Sequence, residues 1–188
     1  MTAVVLNLQN VGLTDEQFYQ LCMVNDRWRF EQTAAGELIV MPPVGGRSGN
    51  READSIGQLW LWNREAQLGK VFSSSTIFRL PNGGKRSPDA AWVRQDRWDA
   101  LSPEDQEKFP PLCPDFVMEL RSRTDDWLQL QAKMQEYLDA GLQLGWLIDP
   151  QIQRVEIYRP SQPVEARSLP ATLSGETVLP GFSMTLKF

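Results

Sequence analysis

Histidine is absent from this 188-residue chain. That absence removes imidazole acid–base catalysis, Ser-His-Asp and Cys-His nucleophilic systems and His-containing zinc sites together. Carboxylates, Lys, Arg, Tyr, hydroxyls and thiols are left to carry any chemistry. Cysteine is scarce: Cys22 and Cys113 lie far apart and suggest no disulfide framework, so reduced thiols in a cytoplasmic protein are expected. There is no stretch near 18 apolar residues and no charged segment leading into a long apolar one, so no membrane partner is expected. Positive charge is not in excess either. The formal net charge is −5, and any binding to phosphate polymers must come from a local cluster of Lys and Arg. Repeats, low-complexity tracts and long Gly/Ser linkers are missing, and neither Gly45-Gly46-Arg47 nor Asn82-Gly83-Gly84-Lys85 has the spacing of a phosphate-binding P-loop.

What is present fits one α/β domain spanning residues 1–188, with its core at about 28–160: 41% of residues are apolar and 23% charged. Thr14-Asp15-Glu16 is a helix N-cap signal for residues 14–23, with Phe18, Leu21 and Cys22 on one face. Trp28-Arg29-Phe30-Glu31 and Leu38-Ile39-Val40-Met41 flank Gly36 and read as a hairpin stopped by Pro42-Pro43. Ile56, Leu59, Trp60, Asn63 and Ala66 recur at helical spacing over residues 50–69, with Gly69 as the expected stop. Residues 71–72 and 76–80 read as one strand or two short ones, and residues 89–93 as the next. Residues 98–111 form an excursion in which Ser102-Pro103 starts a short helix. Phe116-Val117-Met118-Glu119-Leu120 is apolar on both faces, the pattern of a central strand. Leu128, Leu130, Met134, Tyr137 and Leu138 mark a helix closed by Ala140-Gly141. Strands at 144–148 and 155–158 and a short strand in the tail complete the reading.

A carboxylate inside an apolar central strand needs a specific reason. Asp89 heads one strand after Ser87-Pro88, and Glu119 sits near the end of another. Neighbouring strands lie roughly 4.8 Å apart, so one divalent ion can bridge the two side chains. Hydrolysis of a phosphodiester requires such a metal, to polarise the phosphate and acidify an attacking water, and a cation to balance developing charge. Arg121 shares the strand face of Glu119 by period-two alternation. Lys133 would arrive from the following helix. The bland readings are that Asp89 caps a turn, that Glu119 forms a buried ion pair with Arg121 or Lys133, and that Glu52 and Lys133 are solvated helix charges.

The ordered set Gly36-Glu37-Leu38, Met41-Pro42-Pro43, Ser87-Pro88-Asp89, Pro114-Asp115-Phe116-Val117-Met118-Glu119, Lys133-Met134, Tyr137, Gly141, Trp146-Leu147-Ile148-Asp149-Pro150 and Val155-Glu156-Ile157-Tyr158 resembles the Uma family of restriction endonuclease-like proteins. Within it, Pro88-Asp89 with Glu119-Leu120-Arg121 resembles the PD-(D/E)xK motif. The resemblance implies a central mixed sheet flanked by helices with an N-terminal hairpin, Mg²⁺- or Mn²⁺-dependent cleavage of DNA, and a homodimer. It matches Asp89 and Glu119 to the metal-binding acids and Glu52 to the acid of the first core helix. Arg121 stands where the motif carries lysine, and being permanently charged it cannot move a proton as a lysine can. Lys133 is the replacement on offer.

Arg47, Arg51, Arg79, Lys85 and Arg86 read as a basic rim that meets phosphates, against the alternative of scattered solvated charge. Asp115 is assigned to the start of its strand, Gln129 and Gln131 to hydrogen bonding, Trp146 to the core, and Trp60 or Trp62 to core packing ahead of base stacking. Two competing functions stay open. One is a catalytically silent nucleic-acid-binding or structural dimer of the same fold, the other a small-molecule phosphoesterase with an enclosed pocket.

Overall fold

The computed structural model describes residues 3–187. Strand β1 (Val4–Asn7) precedes helix α1 (Asp15–Val24), which opens on a reciprocal capping box. The Thr14 hydroxyl accepts from the Gln17 N–H at 3.2 Å and the Gln17 side chain accepts from the Thr14 N–H at 2.9 Å. Phe18 and Cys22 are its buried face. The expected hairpin forms from β2 (Arg29–Gln32) and β3 (Glu37–Met41), paired from Arg29↔Met41 to Gln32↔Leu38.

Helix α2 (Gly46–Ala66) begins earlier than its apolar periodicity suggests and ends on Gln67 in the left-handed region, ahead of Gly69. Gly69 instead opens β4 (Gly69–Ser73), where a Cβ would collide with the Val93 carbonyl and the Trp92 ring. Asn63 fastens helix to sheet there: its side chain donates to the Gly69 carbonyl at 2.8 Å and accepts from the Trp92 indole at 2.7 Å.

The chain continues through β5 (Phe78–Arg79), β6 (Lys85–Arg86), β7 (Ala90–Arg94), α3 (Gln95–Asp99), α4 (Pro103–Glu107), β8 (Phe116–Leu120), α5 (Trp127–Asp139), β9 (Leu144–Asp149) and β10 (Arg154–Tyr158). Strands β11 (Glu165–Ser168), β12 (Ala171–Ser174) and β13 (Ser183–Leu186) follow. A six-stranded sheet has the order β11-β10-β9-β8-β7-β4, a five-stranded sheet β1-β3-β2-β6-β5, and β12 pairs with β13. The β8–β9 pair is parallel, joined by the α5 crossover, and the other pairs are antiparallel, so the large sheet is mixed. The expected α/β class, with helices flanking a central mixed sheet and an N-terminal hairpin, is what the chain adopts. Residues 71–72 and 76–80 belong to two strands in different sheets.

Both faces of β8 are covered. Phe116, Met118 and Leu120 join Leu59 of α2 and Trp146 in one apolar cluster, while Val117 joins Met134 and Tyr137 of α5 in the other. The first cluster also takes in Leu173, Leu179, Phe182, Met184 and Leu186, so the core runs well past residue 160. Gly141, with φ at +106°, lets the chain turn out of α5 into β9.

Candidate functional site

The site assembles where β7, β8 and α5 meet the hairpin. The last paired residues of β7 and β8 are Ala90 and Met118. One step further along each strand lie Asp89 and Glu119, and the Asp89 carboxylate accepts from the Leu120 N–H at 2.7 Å. The α5 face over β8 is set by the helix register: Asp126 caps the first turn by accepting from the Gln129 N–H at 2.9 Å, and Met134 and Tyr137 pack inward. Lys133, beside Met134, points its ammonium at Glu119, Nζ to Oε1 at 2.8 Å. Tyr137, one turn on, donates its hydroxyl to the same oxygen at 3.1 Å.

Glu119 is 3% exposed and Asp89 half-buried. Burial lifts the Glu119 carboxyl to about 8, against the pull of Lys133 and with the negative charges of Asp89 and Glu31 adding to the rise. Burial also lifts Asp89 to about 6, opposed by the Leu120 N–H and Lys133 and aided by Glu52. Desolvation would lower the Lys133 ammonium, but Glu119 and Glu31 more than reverse that and hold it charged.

Glu52 enters from α2. Its carboxylate accepts a short hydrogen bond from the Ser74 hydroxyl, while the Ser74 carbonyl accepts from Ser87 Oγ at 2.5 Å and from the Arg29 guanidinium. Glu52 therefore stands near enough to Asp89 to influence its charge, and its direct partner is a serine. Arg121 departs from expectation. The chain leaves β8 after Leu120, and the Arg121 N–H bonds the Ile148 carbonyl, which brings its guanidinium to the end of β9. There it pairs with Asp149 at 2.5 Å, a carboxylate with 0% exposure, and donates to the Asp125 carbonyl at 3.1 Å. Arg121 lines the same cavity as Glu119, but the cation bonded to Glu119 is Lys133.

Glu31 is a site residue that no sequence pattern marks. This β2 residue is 2% exposed and accepts from Lys133 Nζ at 2.8 Å, the Ser87 N–H at 2.9 Å and Arg86 Nη1 at 3.1 Å. Burial would raise its carboxyl, yet Lys133 and Arg86 hold it below the usual range. The basic rim is also mostly committed elsewhere. Arg86 bridges Glu31 and Glu136, Lys85 bonds Gln32 and Asp15, and Arg79 spans Asp15 and Asp105. Arg47 and Arg51 do line the cavity, joined by Arg29 and the exposed Arg123. Asp115 accepts from the Arg94 N–H and pairs with Arg97, Gln131 bonds Glu156, and Trp62 packs on Trp92 and Phe182. Trp60 is half exposed beside Arg64, away from the acidic pair.

The cavity over Asp89 and Glu119 measures about 1150 Å³ and opens between the 42–52 segment and the 121–126 turn. Two carboxylates without histidine or thiolate neighbours make a hard oxygen donor set. That set fits Mg²⁺ or Mn²⁺, ions that often use one or two protein carboxylates and keep several waters. Among the described residues no three acidic, His or Cys side chains converge as a complete metal cage.

The mixed sheet sets Asp89, just ahead of β7, opposite Glu119 of β8. The fold is shared with a protein from Anabaena variabilis ATCC 29413 described as a putative nuclease belonging to DUF820, at a TM-score of 0.77 and 19% identity over 93% of this chain and 95% of that one. The model of the Uma2 family, described as "Putative restriction endonuclease", matches residues 15–187, and the chain belongs to that family. No curated protein matches the sequence. No described helix is long and apolar enough to cross a membrane.

Proposed function

We propose that this protein is a Mg²⁺- or Mn²⁺-dependent endonuclease that hydrolyses phosphodiester bonds in DNA. The observation that carries the reading is the acidic pair itself: Asp89, tied to the Leu120 N–H, beside Glu119, which is held by Lys133. Family membership supports nuclease chemistry. Asp89 and Glu119 would hold the metal, and Glu52 would orient water at its edge. A bound divalent ion would polarise the phosphate and acidify the attacking water. Lys133, kept charged by its two carboxylates, balances negative charge on the phosphate. Arg121 acts at one remove, fixing the turn that follows β8 through Asp149.

The cavity favours a polymer over a small phosphoester. It opens to solvent, with Arg47, Arg123 and Gln129 exposed at its margin. Arginines at such a margin suit phosphate contacts. A homodimer belongs to the same proposal: β1 offers an exposed sheet edge with Val4, Val5 and Leu6, and sedimentation would measure the pairing. A cytoplasmic setting suits the two buried free thiols, Cys22 and Cys113.

The test is cleavage of plasmid, single-stranded DNA and RNA in Mg²⁺ or Mn²⁺, with Asp89→Ala and Glu119→Ala in parallel. Cutting of DNA that chelation stops and both variants lose is expected. Absence of cutting in either metal would favour a silent nucleic-acid-binding dimer.

A further inference from the structure

Glu31 belongs to none of the motifs the sequence singles out, yet it is as closely engaged with the site as the acidic pair. The Lys133 ammonium lies between two carboxylates, 2.8 Å from Glu31 Oε1 and 2.8 Å from Glu119 Oε1, with the Ser87 carbonyl at 3.4 Å. An ammonium has three donors, and these oxygens account for all of them. Glu31 is fixed from behind: Arg86 and the Ser87 N–H hold it, and Arg86 is anchored in turn by Glu136 on α5. Ser87 lies two positions before Asp89, so Glu31 touches both arms of the site. Lys133 thus owns a counter-ion outside the acidic pair.

We propose that Glu31 is a positioning residue that shares Lys133 with Glu119, so that Glu119 can serve a divalent cation together with Asp89 while the ammonium stays neutralised. The inference rests on the metal-dependent reading above. The charges around Lys133 argue for it. One ammonium faces two carboxyl groups at 2.8 Å, and it needs only one ionised partner to remain paired in a buried setting, where an unpaired charge is costly. With Glu31 made neutral, Glu119 becomes the sole carboxylate partner of Lys133. Ammonium and metal then compete for one carboxylate.

The experiment is calorimetric titration of the full chain with Mn²⁺, comparing wild type, Glu31→Gln, Lys133→Met and the double variant, each checked for folding by circular dichroism. Glu31→Gln keeps the side-chain volume and an acceptor for Ser87. It is expected to weaken Mn²⁺ binding by about tenfold or more, the scale of losing one partner of a buried charge pair. The double variant is expected to return to wild-type affinity or better, because the competitor has gone. Damage of a merely structural kind would not be repaired by a second substitution. An unchanged dissociation constant in Glu31→Gln, or a double variant as weak as Glu31→Gln, overturns the inference while leaving the metal reading intact. Should Glu31→Gln alone fail to fold, the double variant is read against Lys133→Met: equal constants are expected, and a tenfold gap overturns the inference. A wild type that binds no Mn²⁺ overturns the metal reading and this inference with it.

Discussion

Between pH 5 and 8 this chain has no histidine to titrate, which makes its stability in metal-free buffer a direct reporter of the acidic pair. Asp89 moves from 3.8 to about 6 and Glu119 from 4.5 to about 8 on folding. The native state therefore holds more protons than the unfolded chain in this window, and stability falls as pH rises through the two folded values. Glu31 is shifted the other way, so it is ionised in both states above pH 5, and Lys133 is charged in both. Near pH 7 the excess is on the order of one proton, so stability falls by roughly 1 kcal/mol per pH unit. From pH 5.5 to 7.5 the loss is on the order of 3 kcal/mol, shared between Asp89 and Glu119. Urea unfolding in chelator reads this directly. With a slope of about 2 kcal/mol/M, the midpoint should drop by roughly 1.5 M. Glu119→Gln should shrink that drop. A midpoint that is flat or rises over this range, or a drop that Glu119→Gln leaves unchanged, would refute the electrostatics assigned to the site.

Gly69→Ala should destabilise by roughly 1–3 kcal/mol, because the added Cβ meets the Val93 carbonyl and the Trp92 ring, and thermal melting measures it. Asp126→Ala should cost about 1 kcal/mol in urea unfolding through loss of the α5 cap. Arg121→Met strips a counter-ion from the fully buried Asp149 and should lower stability by about 3 kcal/mol in the same assay. In the folded fraction of that variant, cleavage should fall far less than in Lys133→Met.

The elements that local pattern governs were readable. The Thr14 capping box, the hairpin around Gly36, the doubly apolar β8 and the amphipathic α5 all form where the residues indicate. Glu119 is conspicuous as a carboxylate in an apolar strand and Asp89 as one that follows Ser87-Pro88, but that the two stand opposite each other follows from the β7–β8 register, which only the folded sheet sets. What escaped depends on contacts that no window contains. Glu31 meets Lys133 across 102 positions, and nothing in Arg29-Phe30-Glu31-Gln32 marks a buried carboxylate. Lys85 and Arg86 read as rim cations for phosphates or as solvated charges because a cation in sequence carries no sign of the acid it will be buried against; both are buried in ion pairs. Arg121 obeys alternation only while the strand lasts, and the chain departs at Leu120 toward Asp149. The two-residue β6 is too short for a periodic signal, and β1 is exposed along its whole length.

The most direct test of the central claim is the initial rate of plasmid nicking as a function of Mn²⁺ for wild type and Glu119→Gln at equal folded concentration. A saturable metal dependence is expected for the wild type and a loss of about 100-fold or more for the variant, as for groups that stabilise charge in the transition state. Equal rates in the two proteins, or nicking that persists in chelator, would contradict the claim.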